Sequence, residues 1–146
     1  MKTIILSPPL PVAVSEMPAD SMPMLRLDCI RSINLIVIHC TAPRCDRRLT
    51  PDELEAEHRR RNFNGCGYHF FISREGIIFP MRPLDRVGAH VRGVNARSIG
   101  IAYEGGLLPN GTAADTRTPD QCQSLRFLIR MLLDIYPEST VCGHRD

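Results

Sequence analysis

The sequence predicts a single α/β domain with a central mixed β-sheet flanked by helices. Three observations point there. A β-branched apolar run spans Ile33 to His39, two short strand-like segments flank Glu75-Gly76, and two helix starts are marked by capping residues at Thr50 and Thr118. A chain of 146 residues with 43% hydrophobic content is long enough to bury one core and needs no second domain. Residues 1–28, where Pro8, Pro9 and Pro11 interrupt the apolar stretch after Met1, read as a Pro-rich, poorly ordered segment rather than a signal peptide. The domain proper is expected over 29–146.

Ile33 to His39 is nearly continuous in apolar residues, the pattern of a strand covered on both faces, and should lie inside the sheet. Thr50-Pro51-Asp52-Glu53 is a capping box with proline at the first helical position. The helix it starts should run to about Arg61 and stop at Asn64-Gly65. Tyr68 to Ser73 and Ile77 to Pro80 then form a hairpin around Glu75-Gly76. Ser98 to Tyr103 is a further strand, ended by Gly105-Gly106, and 107–117 is a surface loop rich in Gly, Asn, Asp and Thr. Thr118-Pro119-Asp120-Gln121 repeats the capping pattern. Cys122, Leu125, Ile129, Leu132, Leu133 and Tyr136 follow at helical spacing as the inward stripe. Pro137 stops that helix, and Ser139 to Cys142 is a last strand that delivers His144 to the sheet edge.

Charge and cysteine content exclude more than they assign. With 18 basic and 16 acidic residues the net charge of +2 gives no electrostatic case for nucleic acid. No segment is apolar for long enough to span a membrane. The basic run His58-Arg59-Arg60-Arg61 reads first as a solvated helix end complementing the macrodipole, and second as a contact for anionic or polar glycan groups. The six cysteines include no CxxC pair and no zinc-finger spacing, although Cys40 and Cys45 are close enough to be bridged across a loop.

Two histidines at opposite ends of the domain carry the chemistry. His39 closes the first strand and His144 follows the last, so a shared cleft would put two imidazoles on one metal ion. A hydrolytic zinc takes three protein ligands and keeps a fourth position for a water that ionises near neutral pH.

Ile38-His39-Cys40-Thr41-Ala42, Gly67-Tyr68-His69-Phe70, Gly88-Ala89-His90-Val91-Arg92-Gly93-Val94-Asn95 and Ser98-Ile99-Gly100-Ile101 occur in that order. Together they resemble the zinc-dependent N-acetylmuramoyl-L-alanine amidases of the bacteriophage lysozyme type, whose fold animal peptidoglycan recognition proteins share. The likeness runs from about Ile33 to Asp146 and includes Gly143-His144-Arg145-Asp146. It implies a peptidoglycan hydrolase that cuts the amide between N-acetylmuramic acid and the first L-alanine of the stem peptide. It further implies that His39 and His144 are zinc ligands, that Tyr68 is catalytic beside the metal, and that His90 and Asn95 border the muramyl-peptide. His69, next to Tyr68, should face the other way and be structural.

The resemblance also implies a third ligand, Cys or Asp, several residues beyond the second histidine, with a lysine close by. Neither position falls within this sequence. Asp146 and the terminal carboxylate are the nearby oxygen donors, whereas Cys40 should point away from His39. A glutamate that some members carry is matched by Ala102, which leaves Glu104 as a substitute base. Two alternatives follow: a non-catalytic muramyl-peptide-binding module with an incomplete metal site, and a thiol hydrolase using Cys66.

Overall fold

Leu35–Cys40 forms the first strand, β1, and it is covered from both sides of the sheet plane as its apolar run requires. The computed structural model describes residues 31–144, so the Pro-rich segment expected over 1–28, with Arg145 and Asp146, lies outside the described residues. The other strands are β2 (Phe70–Ile72), β3 (Ile78–Pro80), β4 (Ser98–Tyr103) and β5 (Thr140–Gly143), and the helices are α1 (Pro51–Arg60) and α2 (Pro119–Ile135). The sheet order is β3-β2-β4-β1-β5. β1 runs parallel to both of its neighbours, β2 is parallel to β4, and β3 alone is antiparallel, so the sheet is mixed as expected.

Strand alternation sorts the core into two layers. Ile36, Phe70, Ile72, Ile99 and Ile101 pack with Leu125, Leu128 and Leu132 of α2. On the opposite face Phe71 packs with Leu54 of α1 and with Cys66. His39, one residue from Ile38 on β1, therefore opens on the α1 side.

Both capping boxes form. Thr50 Oγ1 accepts from the Glu53 amide at 3.2 Å, and Glu53 Oε2 accepts from the Thr50 amide at 2.8 Å. Thr118 and Gln121 repeat the exchange at 3.1 and 3.0 Å. The helix α1 ends at Arg60 with Arg61 as its cap, as its sequence suggested, but the residue that turns the chain is Asn62, with a left-handed φ of 63°, and not Asn64-Gly65.

The inward face of α2 also differs from the expected stripe. Leu125, Leu132 and Tyr136 enter the core, but Gln121, Ser124 and Leu128 complete it, while Ile129 and Leu133 only border it. Two of these are polar residues held by the backbone of the sheet end. Gln121 Nε2 donates to the carbonyls of Glu104 and Ile72 at 2.9 and 3.3 Å, and Ser124 Oγ donates to Gly76 O.

The β2–β3 ladder covers only Phe70–Ile72 against Ile78–Pro80, although the hairpin is tied on either side of it by Met81 N donating to His69 O and Ser73 N to Ile77 O. The turn depends on Gly76. Its φ is +78°, and a Cβ there would lie 2.7 Å from Asp120 O, so both conformation and space demand glycine.

Candidate active site

Parallel pairing of β1 with β5 puts Ile38 opposite Gly143, and His144 N donates to Ile38 O at 3.0 Å. The next side chains along, His39 and His144, therefore meet, with ring centroids 4.7 Å apart. Tyr68 approaches from the segment before β2, its ring 5.2 Å from that of His39. His90 comes from the loop before β4, with Nδ1 2.9 Å from His39 Nε2. These four side chains share a cavity of about 390 Å³ with Cys40, Phe63, Ala89, His58 of α1 and Arg61, the residue that follows that helix.

His58 is the residue that sequence reasoning missed. The run 58–61 was expected to be a solvated helix end, but its first member is buried and stands one turn beyond buried Leu54. Its Nδ1 accepts from the Gly67 amide at 2.8 Å, and its ring lies 5.2 Å from Tyr68. The i, i+4 spacing of Leu54 and His58 was the available signal. Its tautomer follows, since an accepting Nδ1 leaves the proton on Nε2.

The electrostatics favour neutral imidazoles and a protonated phenol. Burial, then the neighbouring His90 and His144, push the His39 pKa down to about 3. Burial, then His69, take His90 down to about 3 as well. Burial raises the Tyr68 phenol to about 12, so its hydroxyl remains a donor throughout the neutral range.

The donor set fits part of a zinc site. Two imidazoles bound to one tetrahedral ion through nitrogens about 2.0–2.1 Å away place their ring centres roughly 5 Å apart, close to the 4.7 Å between His39 and His144. Because His90 occupies the Nε2 side of His39, Nδ1 is the nitrogen left for a cation. Among the described residues, no group of three or more His, Cys, Asp or Glu is set to hold a metal ion, and Asp146 lies outside them.

Other sequence candidates fall elsewhere. Asn95 uses Oδ1 to accept from the amides of His90 and Val91, both at 2.9 Å, and so shapes the loop under His90. Glu104 is not a base at the cleft. It is buried, with Oε1 accepting from Leu49 N and Oε2 from Arg74 N, each at 2.8 Å. Cys66 is buried and its thiol is pushed up to about 11 by that burial, the opposite of an activated nucleophile. Cys40 and Cys45 are free thiols, and Cys40 turns its sulfur toward the Gly106 turn. His69 is fully buried and structural: Nδ1 accepts from Gly100 N at 3.0 Å and Nε2 donates to Arg86 O at 2.9 Å.

A mixed sheet between two helices, with the neutral imidazoles of His39 and His90, the ring of His144 and a protonated phenol on the α1 side of its central strands, defines a hydrolase-like cleft. The model of the N-acetylmuramoyl-L-alanine amidase family matches residues 30–146, and the chain belongs to that family. It is 33% identical over 115 residues to the endolysin of Escherichia phage T7, covering 79% of this chain and 76% of the other. With the endolysin of Enterobacteria phage K11 it shares 31% over 109 residues, or 75% and 72% of the two chains. Among solved structures, the N-acetylmuramoyl-L-alanine amidase endolysin LysCS of Clostridium intestinale superposes with a TM-score of 0.70 at 37% identity, covering 80% of this chain and 71% of that one. The peptidoglycan recognition protein PGRP-LB of Drosophila matches at 25% identity with a TM-score of 0.64, over 80% and 72% of the chains.

Proposed function

We propose that this chain is a peptidoglycan amidase that hydrolyses the bond between the lactyl group of N-acetylmuramic acid and the L-alanine of the stem peptide, with His39 and His144 as ligands of a zinc ion. The observation that carries this is the meeting of His39, His144 and Tyr68 in one cavity. A muramyl-peptide binder needs polar walls, but it has no need of two imidazoles at metal-sharing distance beside a phenol.

When bound, zinc would supply a water acidified to near neutral pH and an electrophile for the scissile carbonyl. The chain's own residues do the rest. His39 is held neutral by burial, which keeps a lone pair available at neutral pH. Tyr68 retains its proton up to about 12 and carries the only hydroxyl among the described residues lining the cavity, so it is the donor for the oxyanion that forms as the carbonyl is attacked. His58 packs behind the Tyr68 ring and fixes its direction. His90 lines the same wall, with Asn95 beneath it, and Arg61, whose guanidinium pairs with Glu57 at 2.6 Å, also lines the cavity.

The test is release of stem peptides bearing a free N-terminal L-alanine from purified peptidoglycan, together with the zinc content of the protein. His39→Ala is expected to lose both. Protein that binds peptidoglycan without metal and releases nothing would instead make it a recognition module.

A further inference from the structure

His90 lines the cavity wall, but its polar atoms are already committed. Its Nδ1 lies 2.9 Å from His39 Nε2, with the two rings nearly perpendicular at 86°. Its Nε2 lies 3.3 Å from the hydroxyl of Ser98, which is fully buried at the start of β4. Space for the ring is made by two glycines. A Cβ on Gly100 would stand 2.6 Å from His90 Cγ, and one on Gly88 would stand 2.7 Å from its Cδ2. Asn95 Oδ1 holds the His90 backbone from below. An imidazole bonded at both nitrogens and seated in a slot cut for it is fixed, whereas a ligand-reading side chain would keep a nitrogen toward open space.

We propose that His90 is a positioning residue for His39, accepting at Nδ1 a hydrogen bond from His39 Nε2–H and so leaving the Nδ1 lone pair of His39 for the cation. This rests on the reading of His39 as a zinc ligand. A neutral imidazole carries one ring proton, so only one polarity of the Ser98–His90–His39 chain is compatible with a ligand at Nδ1. In that polarity His39 Nε2–H donates to His90 Nδ1, and His90 Nε2–H donates to Ser98 Oγ. The reverse polarity places the proton on His39 Nδ1 and blocks it. The serine hydroxyl can accept or donate, so the chain adapts to the form the cation selects. Partners of this kind, which hold the remaining ring N–H of a metal-binding histidine, commonly govern metal affinity by about 10–100-fold.

Two measurements test this. Zinc affinity, read by chelator competition, is expected to weaken about 10–100-fold in His90→Leu and to be largely retained in His90→Asn, whose side-chain oxygen can take the place of Nδ1. Long-range proton–nitrogen NMR of the zinc-loaded wild type should show His39 protonated at Nε2 and His90 unprotonated at Nδ1. This second readout stands even where His90→Leu fails to fold. Unchanged affinity in a folded His90→Leu protein, or a proton on His90 Nδ1 in the zinc form, would overturn the proposal while leaving the zinc site in place. Wild-type protein that takes up no zinc would overturn the site assignment itself.

Discussion

Tyr68 stands between two imidazoles, with ring centres 5.2 Å from both His39 and His58. Tyr68→Phe removes one hydroxyl and little packing, so kcat is expected to fall by about 10²–10³ while zinc content is unchanged. Steady-state kinetics and metal analysis on one preparation check this. Its neighbour His69 serves the fold. Burial, reinforced by the Arg31 and Arg82 guanidinium groups, pushes His69 down to about 4 from an ordinary 6.5. The unfolded chain therefore takes up a proton near pH 6.5 that the folded chain refuses until about 4. The stability contributed by neutral His69 is whole above 6.5, declines as pH falls, and is lost by about 4, a total on the order of 3 kcal/mol. Urea midpoints of the metal-free protein should fall across that window, and the His69 ring should remain neutral by NMR at pH 5. An observed His69 pKa near 6.5 would contradict this. Ring identity was legible in the sequence for His39, Tyr68 and His144, because each sits in an ordered motif. His58 was not, because a run of four basic-type residues conceals that the helix turns only the first of them inward.

The two capping boxes are spelled almost alike, yet the fold uses them differently. Thr50 caps an exposed end of α1. Thr118 caps α2 and also donates through Oγ1 to Arg74 O at 2.7 Å, tying the helix to the hairpin. Thr50→Ala is expected to cost about 1 kcal/mol, and Thr118→Ala about 2 kcal/mol because a part-buried carbonyl loses its partner as well. Thermal or chemical denaturation distinguishes the two, and equal losses would show that the Arg74 contact contributes nothing. Helix starts and the strand Ser98–Tyr103 could be read from local chemistry, since capping and alternation act within a few residues. The residue that turns the chain after α1 and the inward line of α2 could not. The first is a left-handed Asn62, and the second is set by sheet carbonyls that only tertiary packing brings to Gln121 and Ser124.

At the scale of the whole molecule, the site exists because β1 lies between β4 and β5, parallel to both. That placement brings Ile38 beside Gly143 and so joins the first and last histidines of the domain. No local rule pairs those two strands, so the meeting of the two rings could be expected only through the resemblance, and the parallel β1–β5 register supplies its physical reason. The same topology sets Glu104 against the amides of Leu49 and Arg74, which is why a residue considered as a base instead braces the loops before α1 and after β2. The most direct measurement is an anomalous difference map at the zinc edge from crystals of the zinc-loaded protein. One peak bonded to both His39 and His144 is expected, within reach of the Tyr68 hydroxyl. A peak bonded to neither imidazole, or none at full zinc loading, would contradict the assignment.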